Sequence, residues 1–182
     1  MKIEKTPFAD LLLITPTVFE DERGYFFEPF NEARFRVETG LNISFVQDNE
    51  SKSSKGILRG MHFQVPPKSQ AKLIRVTKGA VLDVVVDLRR TQPTFGQYFM
   101  VEINETNKLQ LFIPEGFAHG FYVLEEETIF SYKCSNYYAK ECDSVLRWDD
   151  PSVNIPWPTR DVMLSEKDQQ GKALEEFKTI FF

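Results

Sequence analysis

"KLIRVTKGAVLDVVVDLR" (residues 72–89) reads as two β-strands around a turn at Lys78–Gly79. In the second strand Leu82, Val84, Val86 and Leu88 alternate with Asp83, Val85, Asp87 and Arg89, so one face is solidly apolar. The same signal recurs downstream in "QYFMVEIN" (97–104), "LQLFIP" (109–114), "HGFYVL" (119–124) and "TIFSYKC" (128–134). Short strands at regular spacing, punctuated by Gly and Pro, predict an antiparallel sandwich or barrel.

Around this core the pattern changes. "NEARFRVETG" (31–40) predicts a helix with Asn31 as N-cap and Gly40 as C-terminal stop. "SEKDQQGKALEEF" (165–177) predicts a second, opening on Ser165 with Asp168 three residues on, a capping-box spacing with Asp in place of Glu. Between them "DDPSVNIPWP" (149–158) carries three prolines and reads as an ordered loop or arm crossing the surface. No repeat, low-complexity tract or Gly/Ser linker divides the chain, so a single domain is expected over 1–182, with a core barrel over about 45–140 and N- and C-terminal extensions packed on it.

Composition bounds the function. At 182 residues a domain buries roughly 70% of the surface its unfolded chain exposes, enough for a core without staples. The net charge of −5 argues against nucleic-acid binding, so an anionic ligand requires a local cluster of Lys and Arg. Cys134 and Cys142 form no CxxC pair and read as reduced thiols of a cytoplasmic protein. "MKIEKTPFADLLLITP" holds a four-residue apolar run, too short for a signal h-region or a membrane span.

Only two histidines are present, His62 and His119. A metal site would want His-x-His or several converging His and carboxylates, and Arg59 and Lys72 near His62 oppose a cation. An imidazole between fixed positive charges suits a proton-transfer base acting on an anionic substrate, because imidazole titrates near ~6.5. It also suits a structural strand histidine, and the residues alone leave both open. The glycines flanking His119 in "IPEGFAHGF" (113–121) imply close backbone approach. Tyr132 reads as a phenolic acid or a half-buried strand tyrosine. Arg23 reads as a bidentate phosphate ligand or a turn cap, and Asp168 has its capping position as a sufficient explanation.

Several stretches together resemble the dTDP-4-dehydrorhamnose 3,5-epimerases, the cupin-type epimerases of dTDP-L-rhamnose synthesis. They are "DERGYFFEPFN" (21–31), "FVQDNESKSSKGILRGMHFQ" (45–64), 72–89, "TQPTFG" (91–96), "IPEGFAHGF", "YKCSNYYAKECD" (132–143), "WDDP" (148–151) and "LSEKD" (164–168). The joint occurrence of "RGMHFQ" and "IPEGFAHGF" in register is the most distinctive part. The resemblance implies a mainly β, jelly-roll barrel with a few short helices, a homodimer with strand exchange, and neither metal nor cofactor. It implies a dTDP-linked 4-keto-6-deoxy sugar as substrate, with no membrane or nucleic-acid partner.

By the same resemblance His62 is the base, Tyr132 the acid on the opposite ring face, Asp168 the partner of His62, and Lys72 the cation at the C4 oxygen. Arg23, Arg59 and Lys167 resemble diphosphate and sugar contacts. Glu28, Gln47 and Asn49 resemble nucleotide or sugar contacts, His119 a polar sugar-site residue, and Tyr138 a tyrosine that stacks on thymine. Asp143 stands where relatives carry a glutamate, which shortens a substrate contact by a methylene. The apolar tail after 170 is expected to pack on the partner subunit. The competing readings are a single-site epimerase, a non-catalytic sugar-nucleotide binder and a metal-dependent cupin oxygenase.

Overall fold

The computed structural model describes residues 1–177 and Phe181. In chain order its strands are β1 (Lys2–Lys5), β2 (Leu12–Thr15), β3 (Phe19–Asp21), β4 (Gly24–Phe26), β5 (Gln47–Ser53), β6 (Leu58–Gln64) and β7 (Lys72–Lys78). There follow β8 (Ala80–Asp87), β9 (Tyr98–Asn104), β10 (Gln110–Ile113), β11 (Phe117–Val123), β12 (Thr128–Cys134) and β13 (Asp143–Val145). Helix α1 spans Glu32–Thr39 and the one-turn α2 spans Glu166–Gln169.

The turn at Gly79 closes no hairpin. It carries the chain from a six-stranded sheet, ordered β1-β2-β10-β7-β12-β5, into a five-stranded one, ordered β13-β6-β11-β8-β9. A glycine is required there: φ is +75°, and a Cβ would lie 2.3 Å from the Thr128 hydroxyl. The chain then returns to the first sheet with β10 and β12 and to the second with β11, every pairing being antiparallel. This alternation between two facing sheets is the jelly roll that the sequence resemblance implied.

Both sheets are covered outside as well as packed inside. Ile74, Val81, Val85, Phe121 and Phe130 form the interior between them. The outer face of the five-stranded sheet, with Met61, Phe63, Val84 and Val86, lies under Leu146, Ile155, Trp157, Phe177 and Phe181 of the C-terminal arm. The outer face of the other sheet packs Leu73 and Phe112 against Phe35 of α1. The apolar face of β8 therefore turns outward onto the arm, and the alternate residues, Asp83 and Asp87 among them, point inward and are buried. Burial on both faces of a strand erases the polar-out rule that alternation usually carries.

Helix α1 forms as its caps predict: the Asn31 side chain accepts from Arg34 N–H and Gly40 takes a left-handed C-cap. The second helix is shorter than predicted. It ends at Gln169, and Lys172 pairs with the β13 end through Lys172 N–H to Val145 O (2.9 Å) and Arg147 N–H to Lys172 O (2.8 Å). Gly171 sits so close that a Cβ would lie 2.8 Å from Arg147 Cα, so backbone docking overrides helix propensity. Within one chain the described part of the tail has a partner of its own. Phe177 packs edge-on and Phe181 at a tilt against Phe63 of the same chain, at 5.1 and 6.0 Å between ring centres, while 178–180 and 182 lie outside the described residues. No helix among the described residues is long and apolar enough to cross a membrane.

Candidate active site

One cavity of about 460 Å³ opens between the sheets. The six-stranded sheet contributes Gln47 and Asn49 from β5, Lys72 from β7 and Tyr132 from β12. The five-stranded sheet contributes Arg59, His62 and Gln64 from β6, His119 from β11 and Asp143 from β13. His62 and Tyr132 thus enter from opposite walls.

His62 is oriented from behind. Its Nε2 lies 2.5 Å from Oδ1 of Asp168, which α2 brings up and which is only 3% exposed. Burial pushes the Asp168 carboxyl up, but bonds from His62, the Ser165 hydroxyl and Gly60 N–H outweigh it and hold the group below the usual carboxylate value. An ionised Asp168 accepts from Nε2–H, which leaves the lone pair on Nδ1 as the site for a proton. The Ser165 hydroxyl caps the helix by accepting from Asp168 N–H (3.1 Å), so capping and histidine support come from neighbouring atoms of one turn.

The second histidine is its direct neighbour, since His119 and His62 pair across β11 and β6. The strands approach closely because Gly60 faces Gly120, where a Cβ on Gly60 would lie 2.5 Å from the Gly120 Cα. His119 has its own carboxylate, Asp83 Oδ2, 2.9 Å from Nε2. Burial lowers the His119 pKa against the pull of Asp83. Asp83 is a site residue that periodicity does not reveal: it lies on the mixed side of the alternating strand β8, and that side faces inward.

Lys72 is buried with Nζ donating to the His62 carbonyl (3.3 Å) and 6.0 Å from the centre of the Tyr132 ring. Desolvation pushes its ammonium below the ordinary lysine value, although Cys134, Asp143 and Asp83 oppose the shift. The Tyr132 phenol is pushed up, first by burial, while Arg59 and Asn49 pull it down. At the mouth, Asp143 Oδ2 accepts from the Tyr138 hydroxyl (3.0 Å) and from Lys167 Nζ. Arg59 donates from Nε to Ser53 Oγ (3.0 Å).

A basic imidazole, a protonated phenol on the opposite wall and a buried ammonium can together move protons on a carbon acid and stabilise the resulting oxyanion. Among the described residues no group of three His, Cys, Asp or Glu side chains is placed to hold a metal ion.

Comparison with known proteins agrees with this chemistry. The family model for dTDP-4-dehydrorhamnose 3,5-epimerase matches residues 5–176. The chain belongs to that family. A dTDP-4-dehydrorhamnose 3,5-epimerase of Shigella flexneri is 49% identical over 94% of this chain and 95% of its own length. The crystal structure of the enzyme of that name from Elizabethkingia anophelis superposes with a TM-score of 0.92 at 50% identity, covering 97% of both chains. A dTDP-6-deoxy-D-glucose-3,5-epimerase from Legionella pneumophila, solved in complex with dTDP-4-keto-L-rhamnose, gives 0.92 at 44% identity, covering 96% of this chain and 93% of its own.

Of the residues expected at an epimerase site, two lie elsewhere in the single chain. Arg23 is in the exposed β3–β4 turn, where its N–H donates to Asp21 Oδ1 (2.9 Å) and its guanidinium pairs with the same carboxylate. Glu28 accepts from Asn31 Nδ2 (3.1 Å) and faces Arg34. Neither lines the cavity.

Proposed function

We propose that this protein epimerises dTDP-4-dehydro-6-deoxy-D-glucose at C3 and C5, giving dTDP-4-dehydro-L-rhamnose. The observation that carries the reading is the entry of His62 and Tyr132 into one cavity from opposite sheets. Inversion at a carbon needs a proton to leave one ring face and another to arrive on the other, and two facing walls supply that arrangement.

In this reading His62 Nδ1 removes the proton alpha to the C4 ketone, with Asp168 holding the tautomer and stabilising the imidazolium. The electron pair moves onto the C4 oxygen, where the Lys72 ammonium meets the developing enolate charge. Tyr132 then protonates the carbon from the opposite face. After turnover His62 releases its proton and Tyr132 regains one from solvent, so protons balance and no bond other than C–H is exchanged. Arg59 and Lys167 hold the diphosphate, Tyr138 receives the thymine, and Gln47, Asn49, His119 and Asp143 complete the polar lining.

Arg23 and Glu28 enter this scheme through a homodimer. Phe19, Tyr25 and Phe26 make the β3–β4 hairpin an exposed apolar finger, with Phe26 70% exposed, which supports its insertion beside the cavity of a second copy. We read the chain as one epimerase domain acting in the cytoplasm.

The test is proton exchange followed by NMR in D2O, with the purified protein, dTDP-4-dehydro-6-deoxy-D-glucose and no reductase. Deuterium at both C3 and C5, abolished by His62→Ala, is the expected result. Label at one carbon alone makes the protein a single-site epimerase. Absence of label with the nucleotide still bound makes it a binder and overturns the proposal.

A further inference from the structure

The segment 136–139, which carries Tyr138, is held by side chains in place of a strand ladder. Three glutamines reach four consecutive residues of its backbone. Gln70 Nε2 donates to Asn136 O (2.7 Å). Gln64 Nε2 donates to Tyr137 O (3.2 Å) while its Oε1 accepts from Ala139 N–H (2.6 Å). Gln47 Oε1 accepts from Tyr138 N–H (3.0 Å).

Gln64 is the centre of this cradle. It stands two residues after His62 on β6, lines the same cavity and is only 4% exposed. Its amide also donates to Lys68 O (2.6 Å), so one side chain ties the base-bearing strand to both the 65–68 turn and the tyrosine segment. A buried amide with donors and acceptors spent on three backbone groups is held in a single orientation, and so is the backbone it holds. The rings of Tyr137 and Tyr138 are exposed, and that of Tyr138 is tied at its tip, where the hydroxyl donates to Asp143 Oδ2 (3.0 Å).

We propose that Gln64 and Gln70 are positioning residues for nucleotide recognition, fixing the backbone that presents Tyr138 and leaving the reacting carbons to His62 and Tyr132. The proposal rests on the function given above for Tyr138 as the nucleobase platform. The cradle makes that platform pre-organised, so dTDP binds without ordering the segment at the moment of association.

The experiment uses Gln64→Met and Gln70→Glu in the full chain. Methionine keeps the volume of Gln64 and removes its hydrogen bonds. Glutamate at the partly exposed position 70 removes the donor to Asn136 O and keeps the fold in reach should the first variant not fold. Calorimetric titration with dTDP, competition by inorganic pyrophosphate against the exchange reaction, and KM and kcat for the keto-sugar are measured on parent and variants. The expected result is dTDP affinity lower and KM higher by about tenfold, with pyrophosphate inhibition retained and kcat falling much less. Unchanged dTDP affinity in both variants overturns the proposal, as does a fall in kcat with KM unmoved or an equal loss of dTDP and pyrophosphate binding. A parent that itself ignores dTDP rejects the functional reading instead, so the two failures are distinguishable.

Discussion

His62 and His119 stand opposite one another on β6 and β11, and each has a buried carboxylate behind it, Asp168 for the first and Asp83 for the second. The pairs differ in what faces the cavity. His62 is partly exposed to it, whereas His119 is buried and stacked 5.9 Å from Phe130. The proposed mechanism therefore gives proton transfer to the first pair, with Asp168 setting the tautomer. Asp168→Asn keeps the shape and removes the charge. We expect a loss of kcat of roughly 10²–10⁴-fold with little change in dTDP affinity, read by deuterium incorporation at C3 and C5. Retention of more than half the rate would show that His62 needs no ionised partner.

Tyr132 separates exchange from inversion. With Tyr132→Phe the base can still take a proton and return solvent hydrogen to the same face. Deuterium should then continue to enter the substrate while inverted product falls by about 10²-fold or more. Chemical-shift and coupling analysis of the exchanged sugar distinguishes the two outcomes. Equal loss of exchange and inversion would reassign the phenol to binding or to enolate stabilisation.

The proposed mechanism assigns the alkaline limb of activity to Lys72. Burial lowers its ammonium below the ordinary lysine value near ~10.4, while burial raises the Tyr132 phenol above ~10. Burial thus moves the Lys72 ammonium toward earlier loss of its proton and the Tyr132 phenol toward later loss, and the proposal assigns the alkaline loss to the lysine. The folded protein binds the Lys72 proton more weakly than the unfolded chain does, so stability rises with pH through the folded value. Activity and this part of the stability should therefore move in opposite directions on the alkaline side. Profiles of kcat and of denaturant midpoint over about pH 7–10 check it, with Lys72→Met as reference for stability. A kcat limb unchanged in active Lys72→Arg would place its origin elsewhere.

Much of this arrangement was legible in the residues, and what was not has identifiable causes. The strands were readable because β-branched runs end at Gly79, Pro114 and Gly116, and α1 because Asn31 and Gly40 mark its ends. His62, Lys72, Tyr132 and Asp168 were found through motif resemblance, since they come from three strands and a distant helical turn that no spacing rule connects. Asp83 was missed because periodicity reports that two faces differ without saying which faces inward. The 165–177 helix was overdrawn because the docking of Gly171 on Arg147 is a tertiary contact. The glutamine cradle left no signal at all: Gln47, Gln64 and Gln70 read as ordinary polar residues until the loop they hold is folded against them. Arg23 and Glu28 lie outside the cavity, the first in the exposed β3–β4 turn and the second just after β4.

Asp150 links stability to the same site from a distance. It is buried in the arm, accepting from Ser152 N–H (2.8 Å), the Ser152 hydroxyl (2.5 Å) and Leu174 N–H (2.8 Å), and so anchors the segment that follows α2. Burial raises its pKa, but the bonds from Ser152, Leu174 and Val153 prevail and leave it below the usual value. A carboxyl depressed in the folded state stabilises it above the ordinary aspartate pKa of about 3.9, and that contribution is lost as pH falls through the folded value. Asp150→Ala leaves the buried Leu174 N–H without its partner, which costs about 1–3 kcal/mol. Urea midpoints at neutral pH should fall accordingly, and the variant should lose less of its remaining stability than the parent between about pH 5 and 2. Parallel acid profiles in parent and variant would mean that the Asp150 carboxyl titrates alike in the folded and unfolded chains.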